Sequence, residues 1–264
     1  MKAKIKVTVV ENTMIAGGVY RIKFLLPAEG CPDNIRPGQF VGVYVPDASR
    51  LLPRPISINF WEPDERILTL VYRVSGEGTS LLSKVKTGES LSVIGILGNG
   101  YPMEELLKKN VLLAGGGIGA PPLLELAKQL RAGGSDSRIT AVLGYRTDDL
   151  FLVDEFRQYA DVIIATDDGT AGFKGNVIEA AKAAGGTYDV ICSCGPMPML
   201  RGVKAYAAEL GIPAYISLEE RMACGVGVCL GCVCKTVHRD AHSLVNNARV
   251  CTEGPVFPAE EVDI

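Results

Sequence analysis

Five of the eight cysteines lie close together near the C-terminal end, between positions 224 and 251. Cys224, Cys229 and Cys232 follow the spacing C-x4-C-x2-C, the plant-type spacing for a [2Fe–2S] cluster, which needs a fourth, more distant cysteine. Cys251 is the candidate for that fourth thiolate. Cys234 is ambiguous on spacing alone, because it could replace Cys232 or be a spare thiol. The stretch predicts a one-electron redox centre.

Glycines separate these cysteines in the loop: Gly225, Gly227 and Gly231. They let the backbone fold closely around a compact anionic cluster and point its amides at the sulfurs. A zinc site is the weaker interpretation, because zinc sites favour pairs of C-x2-C, and one such pair is evident, beside the C-x-C of Cys232 and Cys234. His238 and His242, spaced i, i+4, could bind a metal from a helix, but a solvated loop is the favoured interpretation.

Length and composition limit the classes of protein that remain. The 264 residues suffice for two domains, or two with a small appendage, and 47% hydrophobic residues allow a sizeable core. Apolar stretches are broken by glycine or charge well before the length of a membrane helix, and the N-terminus reads as a strand rather than an export signal. The formal net charge of -3 shows no excess of basic residues of the kind that binds nucleic acid. Cysteines crowded into one loop indicate cluster chemistry in a reducing cytoplasm rather than a disulfide framework.

The first hundred residues read as short β segments separated by turns rich in proline and glycine. We predict strands at 4–10, 19–26, 39–45, 56–60, 67–74 and 90–94, with one helix at 79–85. Even spacing of this kind indicates a small antiparallel barrel.

The run Arg54, Pro55, Ile56 and Ser57 is the first motif of this barrel that could bind a ligand. The proline fixes the backbone so that Arg54 and Ser57 project to one side, as a phosphate or a flavin ring edge would require. Taken singly, the motif is more often an ordinary turn with a surface arginine.

The second motif is a strand that carries Val71, Tyr72 and Arg73 and leads through a glycine turn to Gly78 and Thr79. A strand with an aromatic and an arginine, followed by a helix N-terminus, is a ready anion site. The order of the two motifs, ahead of a nucleotide module, favours a cofactor over the ordinary strand and turn.

From position 110 the pattern changes to strands that alternate with helices. Strand-like runs occur at 111–114, 139–145, 162–166, 189–192 and 214–217, and helical patterns lie between them, for example at 121–131, 176–184 and 197–210. This alternation predicts a doubly wound parallel sheet with helices on both faces.

The glycine loop after the first of these strands fits the G-x-G-x-x-G/A fingerprint at Gly115, Gly117 and Ala120, with Gly119 in the same loop. It would bring a pyrophosphate close to the backbone at a helix N-terminus. The segment after the next strand offers both Arg146 and Asp148, so the residues alone leave NAD and NADP open.

Together these motifs resemble the ferredoxin–NADP reductase superfamily. The resemblance implies that FAD is lined by residues of the barrel: Arg54, Pro55, Ile56, Ser57, Val71, Tyr72, Arg73, Gly78 and Thr79. The run Cys194, Gly195 and Pro196 resembles the C-G-P motif that faces the nicotinamide in that superfamily, whereas Cys192 reads as a buried structural cysteine. The glycine-rich stretch 95–100 resembles the link that closes the FAD domain, and a plain interdomain linker is an equally good interpretation of it.

The chain then departs from ferredoxin reductases proper, which end soon after the nucleotide domain. The stretch R-M-A-C-G-V-G-V-C-L-G-C-V-C, placed after a C-G-P domain, closely resembles the electron-transfer subunits of NAD-dependent dihydroorotate dehydrogenases, over essentially the whole chain. On that family's pattern the cluster ligands are Cys224, Cys229, Cys232 and Cys251, and Cys234 is a non-ligand.

The resemblance implies a division into an FAD-binding β-barrel at 1–100, an NAD-binding α/β domain at 101–216 and a [2Fe–2S] domain at 217–264. It also implies a role in pyrimidine biosynthesis, beside an FMN-containing catalytic subunit in a heterotetramer of two copies of each chain. Electrons would leave dihydroorotate through the FMN, cross the [2Fe–2S] cluster singly to FAD and reach NAD+ as hydride. No catalytic acid or base is expected in this chain, because no orotate site is.

Two other functions stay open on the sequence. A subunit with the same three modules could serve another NAD(P)H oxidoreductase, such as NADH-dependent ferredoxin–NADP oxidoreductase or sulfide dehydrogenase, and would differ in its partner-facing surface. A non-catalytic, nucleotide-sensing iron–sulfur protein would bind the same cofactors without reducing dyes with NADH.

Overall fold

The computed structural model describes residues 4–29, 31–32, 34–134, 138–239 and 244–264. His242, one half of the histidine pair considered above, lies outside these residues. Among the described residues the longest helix has 14 residues, and none has the length and apolarity of a bilayer span.

Six antiparallel strands form a closed barrel: β1 (Lys4–Ala16), β2 (Val19–Leu25), β3 (Phe40–Tyr44), β4 (Arg54–Glu62), β5 (Ile67–Arg73) and β6 (Ser90–Leu97). Their order around the barrel is β1-β2-β5-β4-β3-β6, and β6 closes it by pairing with β1. Alternate residues such as Ile22, Phe24, Leu68 and Leu70 fill the interior, as period-two side-chain placement requires. Helix α1 (Glu77–Leu82) lies between β5 and β6. The predicted antiparallel barrel is confirmed.

A seven-stranded sheet follows, with helices in its connections. In chain order its elements, with the short α2 that precedes them, are α2 (Met103–Leu106), β7 (Val111–Gly116), α3 (Ala120–Ala132), β8 (Ile139–Tyr145), α4 (Val153–Arg157), β9 (Asp161–Thr166), β10 (Phe173–Lys174), α5 (Val177–Ala184), β11 (Val190–Cys194), α6 (Met197–Leu210) and β12 (Ala214–Ser217). Six of the seven strands run parallel, in the order β10-β9-β8-β7-β11-β12, and the seventh comes from the C-terminal segment.

The two faces of this sheet pack against different helices. Along β7, Val111 and Leu113 join the core that contains α3 and α4, while Leu112 and Ala114 join the core that contains α5 and α6. A central strand buried on both faces is the mark of a doubly wound sheet, so that prediction is also confirmed.

Helix ends in this domain follow local chemistry. Helix α3 begins with prolines in its first turn, where a missing N–H costs no hydrogen bond. Asn176 caps α5 by accepting hydrogen bonds from the backbone N–H groups of Ile178 and Glu179, at 2.9 and 3.0 Å. Helix α6 ends at Leu210 and is capped by Gly211, whose φ of 67° is left-handed.

Three structures follow β12. The first is the loop that carries Cys224, Cys229 and Cys232, here called the cysteine loop. After it come a two-stranded ribbon of β13 (Val233–Lys235) and β14 (Asn247–Arg249), and then β15 (Val256–Pro258). Strand β15 returns to the large sheet and pairs antiparallel with β12. The segment predicted as a separate cluster domain therefore shares a sheet with the nucleotide-binding part. The domain limits drawn from the sequence stay a prediction.

Polar contacts fix the barrel to α3. Asn59 Nδ2 donates to the carbonyl of Pro121 at 2.9 Å, and the backbone N–H of Trp61 donates to Glu125 Oε2 at 3.0 Å. Lys128 Nζ donates to the carbonyl of Trp61 at 2.6 Å. Because these groups lie in the seam between the two parts, they set how the barrel faces the parallel sheet.

Candidate functional site

A cavity of about 420 Å³ opens between the barrel, the start of α3 and the segment after β12. It brings together seven residues that the sequence assigned to FAD: Pro55, Ile56, Ser57, Val71, Tyr72, Arg73 and Thr79. The nucleotide-binding part adds Pro121 and Pro122, and the C-terminal segment adds Leu218, Met222 and Pro255. Sequence reasoning missed this second wall, because its residues belong to elements far apart in the chain.

The two remaining barrel residues, Arg54 and Gly78, pack on each other beside this cavity. A Cβ atom on Gly78 would lie 2.1 Å from Nε of Arg54, so the glycine leaves the space that the guanidinium occupies. Arg54 Nη1 also donates to the carbonyl of Leu52 at 2.8 Å. The arginine is therefore held at the start of α1, with its position dependent on the missing side chain.

A larger cavity, of about 590 Å³, lies over the carboxyl ends of the parallel strands, where open α/β sheets bind their ligands. Four predicted nucleotide contacts line it: Gly117, Gly119, Gly195 and Pro196. A Cβ atom on Gly119 would lie 2.3 Å from the carbonyl oxygen of Cys194, so the glycine loop and the end of β11 approach as closely as backbone allows.

Two predicted nucleotide contacts, Gly115 and Cys194, do not line this cavity. A Cβ atom on Gly115 would lie 3.2 Å from Cα of Ala120 and from Cδ1 of Leu123, so the glycine permits close packing of β7 on α3. Cys194 is 2% exposed, and burial raises the pKa of its thiol to about 12. A role for the Cys194 side chain at the nicotinamide stays a prediction.

The polar rim of the larger cavity contains Arg146, as the sequence suggested, together with Asp149 and Asp167 in place of Asp148. Asp149 already accepts two hydrogen bonds from the backbone N–H of Gly17, at 2.9 and 3.1 Å. The position of Asp167 had a usable sequence signal, since it follows directly on a predicted strand.

The two cavities share a wall formed by Arg73, Ile118 and Glu219. Ligands bound in the two cavities would therefore be neighbours. Glu219 keeps contact with solvent in this groove, yet the protein around it excludes enough water to raise the pKa of its carboxyl group.

The four predicted cluster ligands lie in two pairs. The thiol of Cys224 is within hydrogen-bonding reach of Cys229, and the thiol of Cys251 is within reach of Cys232. Within the part of the chain that the structure describes, no three His, Cys, Asp or Glu side chains gather around a single metal ion. Two pairs of thiols match the donor set of a cluster with two irons, each held by two cysteines.

Backbone amides point at the sulfurs of the first pair. The N–H of Val226 donates to Cys224 Sγ and the N–H of Gly231 donates to Cys229 Sγ, both at 3.4 Å. Burial opposes ionisation of Cys224, but hydrogen bonds from the backbone N–H of Val226, from neighbouring backbone amides and from the Cys229 side chain outweigh it and lower the pKa of the thiol to about 6. Burial and the adjacent Cys232 raise the pKa of Cys251 to about 11. Backbone amides directed at the sulfurs of Cys224 and Cys229 suit an anionic iron–sulfur cluster.

Two further residues, Cys234 and Asn99, lie beside this loop. Cys234 lies on β13 opposite Ala248, and burial raises the pKa of its thiol. Asn99, in the glycine-rich link after β6, donates to the carbonyls of Thr252 and Glu253, at 3.2 and 3.1 Å. The link therefore anchors the turn that carries Cys251 to the barrel.

Comparison with known proteins agrees with this arrangement. The family model for the iron-sulfur cluster binding domain of dihydroorotate dehydrogenase B matches residues 219–263. Two relatives named as the electron transfer subunit of dihydroorotate dehydrogenase B (NAD(+)) align over 97% of this chain and 97% of their own length: one from Fusobacterium nucleatum, 40% identical, and one from Shouchella clausii, 41% identical.

Among solved structures, a chain of the NADH-dependent reduced ferredoxin-NADP oxidoreductase superposes with a TM-score of 0.84 at 32% identity, covering 97% of this chain and 89% of its own. The match extends over barrel, parallel sheet and C-terminal segment. The higher identity and full-length coverage of the curated relatives decide the family. This chain belongs to the electron transfer subunits of NAD(+)-dependent dihydroorotate dehydrogenase B, as its motifs predicted.

Proposed function

We propose that this chain is the redox subunit that passes electrons from dihydroorotate, oxidised in a partner subunit, to NAD+ in pyrimidine biosynthesis. The observation that carries the proposal is the contiguity of three sites. The smaller cavity shares Arg73, Ile118 and Glu219 with the larger one. Its other wall includes Met222 and Pro255, which lie just before Cys224 and just after Cys251 in the chain.

Each site contributes a separate binding task. The smaller cavity would hold FAD through Ser57, Tyr72 and Thr79, with Arg54 as a further binding residue beside the cavity. The larger cavity holds NAD through the backbone of Gly117 and Gly119. The remaining residues assigned from the sequence stay predicted contacts, and the two cysteine pairs would hold the [2Fe–2S] cluster. A bound flavin exchanges electrons singly with an iron–sulfur centre and as hydride with a nicotinamide, so its place between the other two sites is the one its chemistry requires.

The partner that we infer is an FMN-containing catalytic subunit, two copies of which assemble with two copies of this chain in the cytoplasm. The cysteine loop supports docking at this point. Cys229 is exposed, and it is flanked by Val228, which is 81% exposed, and by Leu230, which is also exposed. Apolar side chains around an exposed cluster ligand favour a covering protein surface, which would also bring the donor close to the cluster.

Substitution of Val228 tests the docking surface. We expect Val228→Glu to retain FAD, iron and NADH-to-dye activity. Its affinity for the FMN subunit should fall at least tenfold, about 1.4 kcal/mol, so that the two chains no longer co-elute from gel filtration. Leu51→Glu is the matched control, because Leu51 is 79% exposed on a barrel loop. Undiminished co-elution of Val228→Glu would place the partner elsewhere.

A wild-type chain that holds its cofactors but reduces no dye would favour the non-catalytic interpretation.

The second candidate is the corresponding subunit of an NADH-dependent ferredoxin–NADP oxidoreductase. The similarity to the solved structure of that enzyme, at 32% identity, is the observation that favours it. This candidate shares all three binding sites and differs in its partner. It predicts no reduction of NAD+ by dihydroorotate with the FMN subunit present.

A further inference from the structure

Arg249 and Glu253 clasp the turn that carries Cys251. The backbone N–H of Arg249 and its Nε both donate to Oε2 of Glu253, at 2.7 and 2.8 Å. The carbonyl of Arg249 accepts from the backbone N–H groups of Thr252 and Glu253, at 3.1 and 2.8 Å. In this compact turn the two partners of one ion pair, Arg249 and Glu253, lie two residues before and two residues after Cys251 in the chain.

The same arginine reaches the other cysteine segment. Its Nη1 donates to the carbonyl of Gly227, at 3.3 Å, and Gly227 lies between Cys224 and Cys229. The two segments that supply all four predicted ligands thus meet at one cation.

A fixed charge at this place has a defined consequence. Reduction of a [2Fe–2S] cluster adds one negative charge, so a nearby cation favours the reduced form and a nearby carboxylate opposes it. Cys232 and Cys251 are buried, which limits screening of charges on their side of the loop. The side chains of Arg249 and Glu253 are each 41% exposed, so salt should weaken their influence without removing it.

We propose that Arg249 and Glu253 act as an opposed charge pair that sets the reduction potential of the cluster, with Arg249 raising the potential and Glu253 lowering it. The proposal rests on the proposed function, because it needs the cluster at the four cysteines. Neither residue is a ligand to the cluster, and each acts on it through the charge of its side chain. Such tuning matters in a relay, because a centre whose potential is far from those of its donor and acceptor slows one of the two transfers.

The experiment is a redox titration of the whole chain with its FAD and cluster, followed by the EPR signal of the reduced cluster. Iron and acid-labile sulfide are measured first in each variant. We expect a lower midpoint potential for Arg249→Gln, a potential near wild type for Arg249→Lys, and a higher potential for Glu253→Gln, which keeps a hydrogen-bond acceptor. Arg157→Gln is the control, because Arg157 forms a comparable surface pair with Asp154, at 2.6 Å, on helix α4.

Opposite shifts that shrink at high salt identify a charge effect, which a purely structural clasp would not produce. Shifts of the same sign, or unmoved potentials with full iron content, would overturn the proposal. If Arg249→Gln loses iron, the Glu253→Gln variant decides: a higher midpoint potential supports the proposal and an unchanged or lower one overturns it. Loss of iron in both variants would assign the pair a structural role only and would also overturn the proposal. A wild-type chain without iron would instead refute the proposed function, a result distinct from any of these.

Discussion

At the scale of single residues, the cysteine loop combines two kinds of information. The ligand types and their spacing are visible in the sequence, whereas the pairing of Cys224 with Cys229 and of Cys232 with Cys251 appears only in the fold. The pairing depends on the turn at Cys251, which returns from the β13–β14 ribbon. Spacing alone therefore could not separate Cys232 from Cys234.

Serine substitutions test that assignment. Cys224→Ser should abolish the visible cluster spectrum and lower the iron content to a small fraction of wild type, because one thiolate of the first pair is lost. Cys234→Ser, the matched control, should leave both unchanged, since Cys234 lies on β13 opposite Ala248. Full iron in Cys224→Ser, or lost iron in Cys234→Ser, would show that the ligand set is wrong.

A second residue-scale prediction concerns the seat of Arg54. In Gly78→Ala the new methyl group would lie 2.1 Å from Arg54 Nε, so the guanidinium must move. We expect FAD retention in gel filtration to fall about tenfold, as in Arg54→Ala, although alanine favours a helix over glycine by about 1 kcal/mol.

Gly76→Ala is the control for this prediction, because a Cβ atom there meets nothing within 4 Å and its φ of -169° is ordinary extended backbone. Equal FAD retention in Gly78→Ala and Gly76→Ala would show that Arg54 is not part of the flavin site.

At the scale of elements, the sequence predicted what periodicity and turn residues encode. The barrel and the alternating strands and helices carry long enough patterns to be recognised. Strand β15, three residues long, carries no such pattern, and its pairing with β12 is set by tertiary contacts. Strand β4 begins at Arg54, before the predicted strand, so the first flavin motif is part of the barrel wall. Helix α4, five residues long, was also missed.

The seam between β4 and α3 makes a testable element-scale prediction through Glu125. Burial raises the pKa of this carboxyl group, although Gln129, Lys128 and the backbone N–H of Trp61 all act in the opposite direction. Between the unfolded pKa of about 4.5 and the higher folded value, the folded chain binds more protons, so the free energy of unfolding falls as pH rises through that window.

Glu125→Gln removes this titration and keeps an acceptor for Trp61. Chemical denaturation at a series of pH values should therefore show a shallower loss of stability with rising pH in the variant. Parallel profiles for variant and wild type would mean that Glu125 does not titrate differently in the folded chain.

At the scale of the whole molecule, function depends on three sites being held in series. The α3 seam fixes the barrel against the parallel sheet, strand β15 returns the chain to that sheet, and Asn99 ties the turn at Cys251 to the barrel. Family resemblance identified the three modules from sequence motifs. The shared wall at Arg73, Ile118 and Glu219 was beyond prediction, because it joins β5, the glycine loop and the chain after β12.

The most direct test is anaerobic reduction of NAD+ by dihydroorotate, with this chain mixed with the FMN-containing dihydroorotate dehydrogenase subunit of its own organism. We predict NADH formation that requires both chains and is lost when Cys224→Ser replaces the wild type. The contradicting result is no NADH formation from a chain that retains FAD and iron and still reduces dyes with NADH. The three binding sites would then serve a different electron donor.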